Sequence, residues 1–308
     1  MKKKIKALVT KAEEFQVEVD WLITQRCNYT CTYCGSYDNS KPFMFKELPE
    51  YINSFKYLSD YFGNKTIKLS LVGGEPMLYK QWPELINWLS SYNYVPKITT
   101  NLSTPVKSYI NKIDKHLEKF IIASWHPEFA TEKFMENIAI LHDKNFIRSV
   151  SVSAPLNYWN AAVTIIDDLR KLYGEHFVHL QRITDQHTQG AEVTNKEVDY
   201  TPEQMKHFTY HRDFTVKTII TELDGTIQTL YEVDAHNIDY KGMYCAVGRD
   251  RLHIMPNGNV YPSACLLNYN KAIMGNIYKQ NIIKPAGAIR CPFVACYCGP
   301  DQRIEKWT

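Results

Sequence analysis

Between Val17 and Ile183 the chain switches repeatedly between two hydrophobic periods, and this constrains its fold more than any other feature. Val17–Ile23, Thr66–Val72, Val95–Thr99, Phe120–Ser124, Ile147–Ala154 and Phe177–Ile183 read as strands. Leu48–Phe62, Trp82–Ser91, Val106–Leu117, Thr131–Lys144 and Tyr158–Tyr173 carry apolar residues at helical spacing, the first ending at Gly63. Six strands separated by five helices, with no hairpin turn among them, predict parallel strands with helices packed outside. The class is α/β, as an open sheet or a partial barrel. In either form, the loops at the C-terminal strand ends carry the chemistry.

The pattern changes after residue 185. Asp185–Tyr200 is polar and reads as a linker, and Thr201–Arg212 opens on Thr-Pro-Glu, a helix start. Beyond it, Val216–Glu222 and Thr226–Leu230 flank Asp224-Gly225, and Arg251–Met255 and Asn259–Tyr261 flank Asn257-Gly258, which predicts two hairpins. The expected organisation is a core over 1–190, a linker helix and hairpin over 191–240, and a small terminal domain over 241–308. Lys plus Arg number 36 against 33 Asp plus Glu, so charge alone indicates no nucleic-acid partner. No apolar run reaches the roughly 18 residues of a membrane span. Lys6, Lys11, Glu13 and Glu14 break any signal-peptide core, so a cytoplasmic location is expected.

The eight cysteines are bunched: Cys27, Cys31 and Cys34 near the start, and Cys245, Cys265, Cys291, Cys296 and Cys298 in the last quarter. A disulfide scaffold is short and spreads its cysteines, so metal or redox chemistry is the better reading. Cys27-Asn-Tyr-Thr-Cys31-Thr-Tyr-Cys34 is C-x3-C-x2-C in the loop after the first strand. Three thiolates this close can ligate three irons of one cubane and leave the fourth open, as a catalytic site requires. Zinc is the alternative, although no partner C-x2-C or His pair lies nearby.

With Tyr33 before its last cysteine, this motif resembles the cluster motif of the radical S-adenosylmethionine (radical SAM) enzymes. Gly73-Gly74-Glu75-Pro76, after the second strand, resembles that family's GGEP segment. Glycines allow close backbone approach, and a carboxylate can pair with the amino group of the methionine moiety. Thr99-Thr100-Asn101 resembles a TNG-like segment, with Leu102 in place of glycine. Ser124, Ser153 and Arg182 stand at strand ends where the family contacts the ribose or carboxylate of the cofactor. The resemblance implies a partial (β/α)6 TIM-like barrel. It also implies a [4Fe-4S] cluster on Cys27, Cys31 and Cys34 that chelates S-adenosylmethionine. Reductive cleavage then gives a 5′-deoxyadenosyl radical, which abstracts hydrogen from an unactivated C–H bond. An electron donor such as flavodoxin or ferredoxin is implied as partner.

The second cysteine group surrounds the Leu252–Pro262 hairpin and is followed by Gly275-Asn276-Ile277. It resembles the auxiliary-cluster extension of one radical SAM branch, called SPASM with two clusters and twitch with one. Five cysteines are too few for two clusters and suffice for one auxiliary [4Fe-4S] cluster with one to spare. Two departures stand out: six residues separate Gly258 from Cys265, and the terminal group is C-x4-C-x-C. A zinc site made of the same thiols is the alternative. The auxiliary cluster is expected to accept an electron or hold substrate. Dehydrogenation, epimerisation and bond formation are the outcomes, with Cys298 a candidate hydrogen donor. His126, Glu128, Gln181 and Asp185 are candidate substrate contacts. Only 26 residues precede Cys27, which favours a small-molecule substrate over a ribosomal peptide bound by an added domain. From another class, a non-catalytic metal-binding or redox-sensing module would not need Gly73–Pro76.

Overall fold

A computed structural model of the chain describes residues 4–12, 17–34, 40, 45–185, 196–197, 200–208, 216–229, 238–267, 272–294, 296 and 304–308. In chain order it opens with β1 (Ile5–Ala12), β2 (Val17–Thr24), α1 (Leu48–Tyr61), β3 (Ile67–Gly73), α2 (Trp82–Ser90) and β4 (Tyr94–Thr100). Next come β5 (Ile121–Trp125), α3 (Glu132–Asp143), β6 (Ile147–Ser153), α4 (Trp159–Tyr173) and β7 (Val178–Gln181). Then follow β8 (Thr184–Asp185), β9 (Lys196–Glu197), α5 (Pro202–Met205), β10 (Val216–Glu222), β11 (Ile227–Thr229) and β12 (Tyr244–Cys245). The last strands are β13 (Arg251–Ile254), β14 (Asn259–Tyr261), β15 (Gly275–Asn276), β16 (Ile289–Arg290) and β17 (Lys306–Trp307). None of the described helices is long and apolar enough to cross a membrane.

The described chain packs as two units. One comprises Trp21–Ile52 and Ser70–His211 and holds β4 to β7 and the carboxyl ends of β2 and β3, parallel strands that follow in chain order from β2 to β7. Pairings such as Thr100↔Ala123, Ser124↔Ser151 and Ser153↔Gln181 run parallel. The order is open and does not close into a barrel. Ile67 to Leu71 is a continuous buried run, as expected of a strand covered on both faces. Between strands, α4 turns Ala162, Ile166 and Leu169 inward and ends before Gly174, whose φ of +96° halts the helix.

The other unit comprises Met1–Asp20, Asn53–Leu69 and Arg212–Thr308. It holds a six-stranded antiparallel sheet of order β11-β10-β1-β17-β12-β16 and the antiparallel run β13-β14-β15. The predicted turns are present: Thr226 N–H donates to Asp224 Oδ1 at 2.8 Å, and Asn259 N–H donates to Asn257 Oδ1 at 3.0 Å. Arg251, 1% exposed, is neutralised by Asp20 and Glu18, and Lys68 reaches Glu18 at 3.3 Å.

Short strands β8, β9, β12, β16 and β17 are absent from the sequence reading, and three longer segments differ from it. Val106–Leu117 is not an α-helix but two 3-10 turns, Val106–Ser108 and Ile110–Lys112. Its apolar residues Val106, Tyr109, Ile113 and Leu117 are buried at the expected spacing. The Asn87 side chain takes backbone groups a helix would need, donating to Lys112 O at 2.7 Å and accepting from Asp114 N–H at 3.0 Å. Of the predicted helix Thr201–Arg212, residues 209–212 lie outside the described residues, and the described part is helical only in α5, because Lys206–Phe208 turn so that His207 and Phe208 pack on Trp159. Strand β1 is absent from the sequence reading: its register shift between Ile5 and Ala7 buries Ile5 and Leu8, three apart, and hides the two-residue period.

Candidate functional site

The cysteine loop leaves β2 at Thr24 and is held from one side by the segment that follows β5. Thr32 N–H donates to Glu128 Oε2 at 2.9 Å, and its hydroxyl donates to Oε1 of the same carboxylate. Tyr29 stacks on Phe129 with centroids 4.9 Å apart. The Tyr33 ring stacks on His126, and its hydroxyl lies 3.0 Å from His126 Nδ1. That hydroxyl also bonds the Cys31 thiol and the Ser153 side chain, which ties the end of β6 to the loop. Burial pushes His126 down to about 4, against the pull of Glu128, so the imidazole is neutral. Glu128, considered from sequence as a substrate contact, is thus a clamp on the loop.

From the other side come the ends of β3 and β4. Gly74 N–H donates to Thr24 O at 2.8 Å and Glu75 N–H to Arg26 O at 2.9 Å, so the two strand ends continue as a ladder. A Cβ on Gly73 would sit 2.2 Å from Thr24 O, and one on Gly74 2.1 Å from Arg26 O. The close approach here is therefore to the cysteine loop's own backbone. Pro76 opens the short turn Pro76–Leu78. The Glu75 carboxylate, 1% exposed, accepts from Met77 N–H (2.8 Å), the Thr100 hydroxyl (2.8 Å) and Asn101 N–H (2.7 Å). Burial pushes Glu75 up to about 7 in spite of these three donors. Leu102, at the glycine position of the resembled segment, is 2% exposed and takes φ +54°.

The remaining predicted residues sit at strand ends without all meeting. Ser124 is half-buried on β5, and Ser153 is 4% exposed. Gln181 accepts from the Ser151 hydroxyl at 2.7 Å. Arg182 lays its guanidinium 5.4 Å over Phe208, in an aromatic group with Tyr200 and Trp159. The Asp185 side chain lies outside the described residues.

Burial pushes the Cys27 thiol up to about 11 and the Cys31 thiol up to about 12. At neutral pH these remain thiols unless a cation replaces the proton. Among the described residues no three His, Cys, Asp or Glu side chains converge as a single-ion site requires. A tetrahedral zinc site draws sulfurs to within about 3.8 Å of one another, given Zn–S bonds near 2.3 Å. A cubane gives each thiolate its own iron and accommodates sulfurs farther apart. Three thiols on one short loop suit a cubane, one thiolate per iron with the fourth iron open, and leave a closed structural zinc site one ligand short.

In the second group, Cys245 on β12 lies directly across the ladder from Lys306, which is 1% exposed. Cys291 continues the β16 edge, its N–H donating to Met243 O at 2.8 Å, and packs against the buried cluster that includes Cys296. Burial pushes the Cys291 thiol up while the Lys306 ammonium pulls it back. Cys265 follows β14, with its Sγ 2.8 Å from Ser263 Oγ. Cys298 lies outside the described residues. Asn276 of Gly275-Asn276-Ile277 caps the β13–β14 hairpin, donating to Asn257 O at 2.9 Å.

Known proteins align with this picture. Residues 21–162 match the model of the Radical SAM superfamily. An 83-residue stretch is 35% identical to GTP 3′,8-cyclase of Vibrio atlanticus (strain LGP32), covering 25% of this chain and 24% of that relative's length. The structure of native anSMEcpe with bound AdoMet superposes with a TM-score of 0.54 at 14% identity, covering 86% of this chain and 79% of that one. Streptococcus suis SuiB bound to S-adenosylmethionine gives 0.52 at 14% identity, over 86% and 64%. The two structures share the mixed α/β fold with its parallel sheet.

Proposed function

We propose that the chain is a radical SAM enzyme, with Cys27, Cys31 and Cys34 holding a [4Fe-4S] cluster whose open iron binds S-adenosylmethionine. The observation that supports it most is the cradle around Cys27. There the cysteine loop, Gly73–Pro76 and Thr100–Asn101 are tied by Gly74 N–H to Thr24 O and by Glu75 to both Thr100 and Asn101. When bound, the reduced cluster and S-adenosylmethionine supply a 5′-deoxyadenosyl radical that removes hydrogen from an unactivated C–H bond. The chain's own part is to fix and dry the site. Glu75 orients the end of β4, Glu128 holds the loop, and Tyr33 joins it to Ser153. Ser124, Ser153 and Arg182 are the proposed contacts to the nucleoside or carboxylate. The scaffold is read as a partial (β/α)6 barrel.

Four of Cys245, Cys265, Cys291, Cys296 and Cys298, with the non-ligand among the last three, are proposed to hold one auxiliary [4Fe-4S] cluster in a twitch-type extension. The reaction proposed is dehydrogenation, epimerisation or bond formation on a small molecule, with flavodoxin or ferredoxin as reductant. The second reading is peptide modification: anSMEcpe, of similar fold, has been solved with a bound peptide at a TM-score of 0.50. Anaerobic reconstitution followed by reduction with S-adenosylmethionine tests the core reading. The expected products are methionine and 5′-deoxyadenosine, both lost on Cys31→Ala. Zinc without inorganic sulfide in the purified protein, or an intact reduced cluster that leaves S-adenosylmethionine uncleaved, would overturn it.

A further inference from the structure

Asn101 is buried (5% exposed), and every polar group of it for which a contact is described points somewhere definite. Its backbone N–H is fixed on Glu75 Oε2 at 2.7 Å. Its side-chain Oδ1 accepts from Ser103 N–H at 2.9 Å, which settles which end of the amide is which. The amide nitrogen therefore faces the cysteine loop, 3.1 Å from Asn28 Oδ1 and 3.7 Å from Cys27 Sγ. With two hydrogens on that nitrogen, one can serve each acceptor. The same sulfur also accepts from Tyr29 N–H at 3.4 Å.

We propose that Asn101 is a positioning residue that donates an N–H···S hydrogen bond to the Cys27 thiolate and so sets the reduction potential of the cluster held there. The proposal rests on the cluster reading above. Hydrogen bonds to the sulfurs are one of the levers by which a protein tunes such a cluster, because added electron density on sulfur is stabilised by the donor. Reduction increases that density, so the donor favours the reduced state and raises the potential. Glu75 takes part indirectly: by holding the Asn101 backbone it fixes where the amide can reach.

The test uses full-length protein, reconstituted anaerobically and without S-adenosylmethionine, in a dye-mediated redox titration followed by the electron paramagnetic resonance of the reduced cluster. Asn101→Asp keeps an oxygen for Ser103 N–H and removes the donor; Asn101→Leu removes both. The midpoint is expected to shift to more negative potential in both, and further in Asn101→Asp, which adds negative charge. An unchanged midpoint in both, at wild-type iron and sulfide content, overturns the proposal while leaving the cluster reading intact. Should neither variant hold a cluster, wild-type protein grown with side-chain-labelled ¹⁵N-asparagine decides the matter. A hyperfine coupling from the amide nitrogen to the reduced cluster is expected, and its absence overturns the proposal. Wild-type protein that holds zinc and no sulfide would instead sink the cluster reading itself, and this proposal with it.

Discussion

Replacing Gly74 by alanine tests the cradle most directly. The added Cβ would stand 2.1 Å from Arg26 O, 2.4 Å from Arg26 C and 2.9 Å from Cys27 N, all backbone atoms that cannot rotate away. Restoring a normal contact near 3.5 Å requires the two strand ends to part by about 1.4 Å. The hydrogen bonds Gly74 N–H to Thr24 O (2.8 Å) and Glu75 N–H to Arg26 O (2.9 Å) would then stretch beyond bonding range. Each bond joins a buried residue to a half-buried one, so the two buried groups, Thr24 O and Glu75 N–H, are left unsatisfied at about 1–3 kcal/mol each, about 2–6 kcal/mol together. That is a large share of the roughly 5–15 kcal/mol that holds a native protein folded. Guanidinium unfolding followed by circular dichroism gives the loss of stability, and iron per chain after reconstitution reports whether Cys27 is still in place. Gly63→Ala is the control: its φ is +67° with nothing within 4 Å, so only backbone strain of about 1–2 kcal/mol is expected. A Gly74→Ala protein with unchanged midpoint and full iron would refute the close-approach argument.

Other expectations follow from single residues. Burial raises the Glu75 carboxyl from its ordinary 4.5 to about 7, so the stability it contributes is full below pH 4.5 and lost as pH rises through 7. The loss is about 3 kcal/mol, and Glu75→Gln should flatten that part of a urea-midpoint profile while lowering it overall, because its amide faces a donor. Arg251→Met strips the buried partner from Asp20 and Glu18 and should cost about 3–5 kcal/mol by denaturation, largely recovered by adding Asp20→Leu. Leu102→Gly relieves about 1–2 kcal/mol of left-handed strain at φ +54° but empties a site that buries a leucine worth about 2–5 kcal/mol. A net loss of stability is expected there, and a gain would show that strain dominates.

How much of this was legible in the sequence depends on how local each signal is. The cysteine loop and Gly73–Pro76 are contiguous motifs, and the strands before them alternate apolar and polar residues, as in Val17–Ile23 and Ile67–Leu71. Val106–Leu117 had the right apolar spacing and the wrong backbone, because the competing partner, Asn87, lies 25 and 27 residues upstream of the groups it binds and nothing in the segment announces it. Glu128 clamps Thr32 from 96 residues away, so its role appears only once β5 is placed. The Glu75 carboxylate illustrates the same limit. The motif marks the residue as special, but that it serves Met77, Thr100 and Asn101 is a property of the assembled strand ends. For the second cysteine group, spacing counted the thiols, and only the ladder showed Cys245 opposite Lys306.

The place of β17 beside β1, with β12 on its other side, has a consequence for biosynthesis. A ribosome delivers the parallel strands β2 to β7 long before residues 306–307 emerge, so that sheet can mature while translation continues. The antiparallel sheet must wait, holding its amino-terminal strand in reserve for a partner made some three hundred residues later. Cys245 on β12 and Cys291 beside β16 are thus enclosed last. Pulse proteolysis of stalled nascent chains should find the first sheet resistant and the second still cleavable.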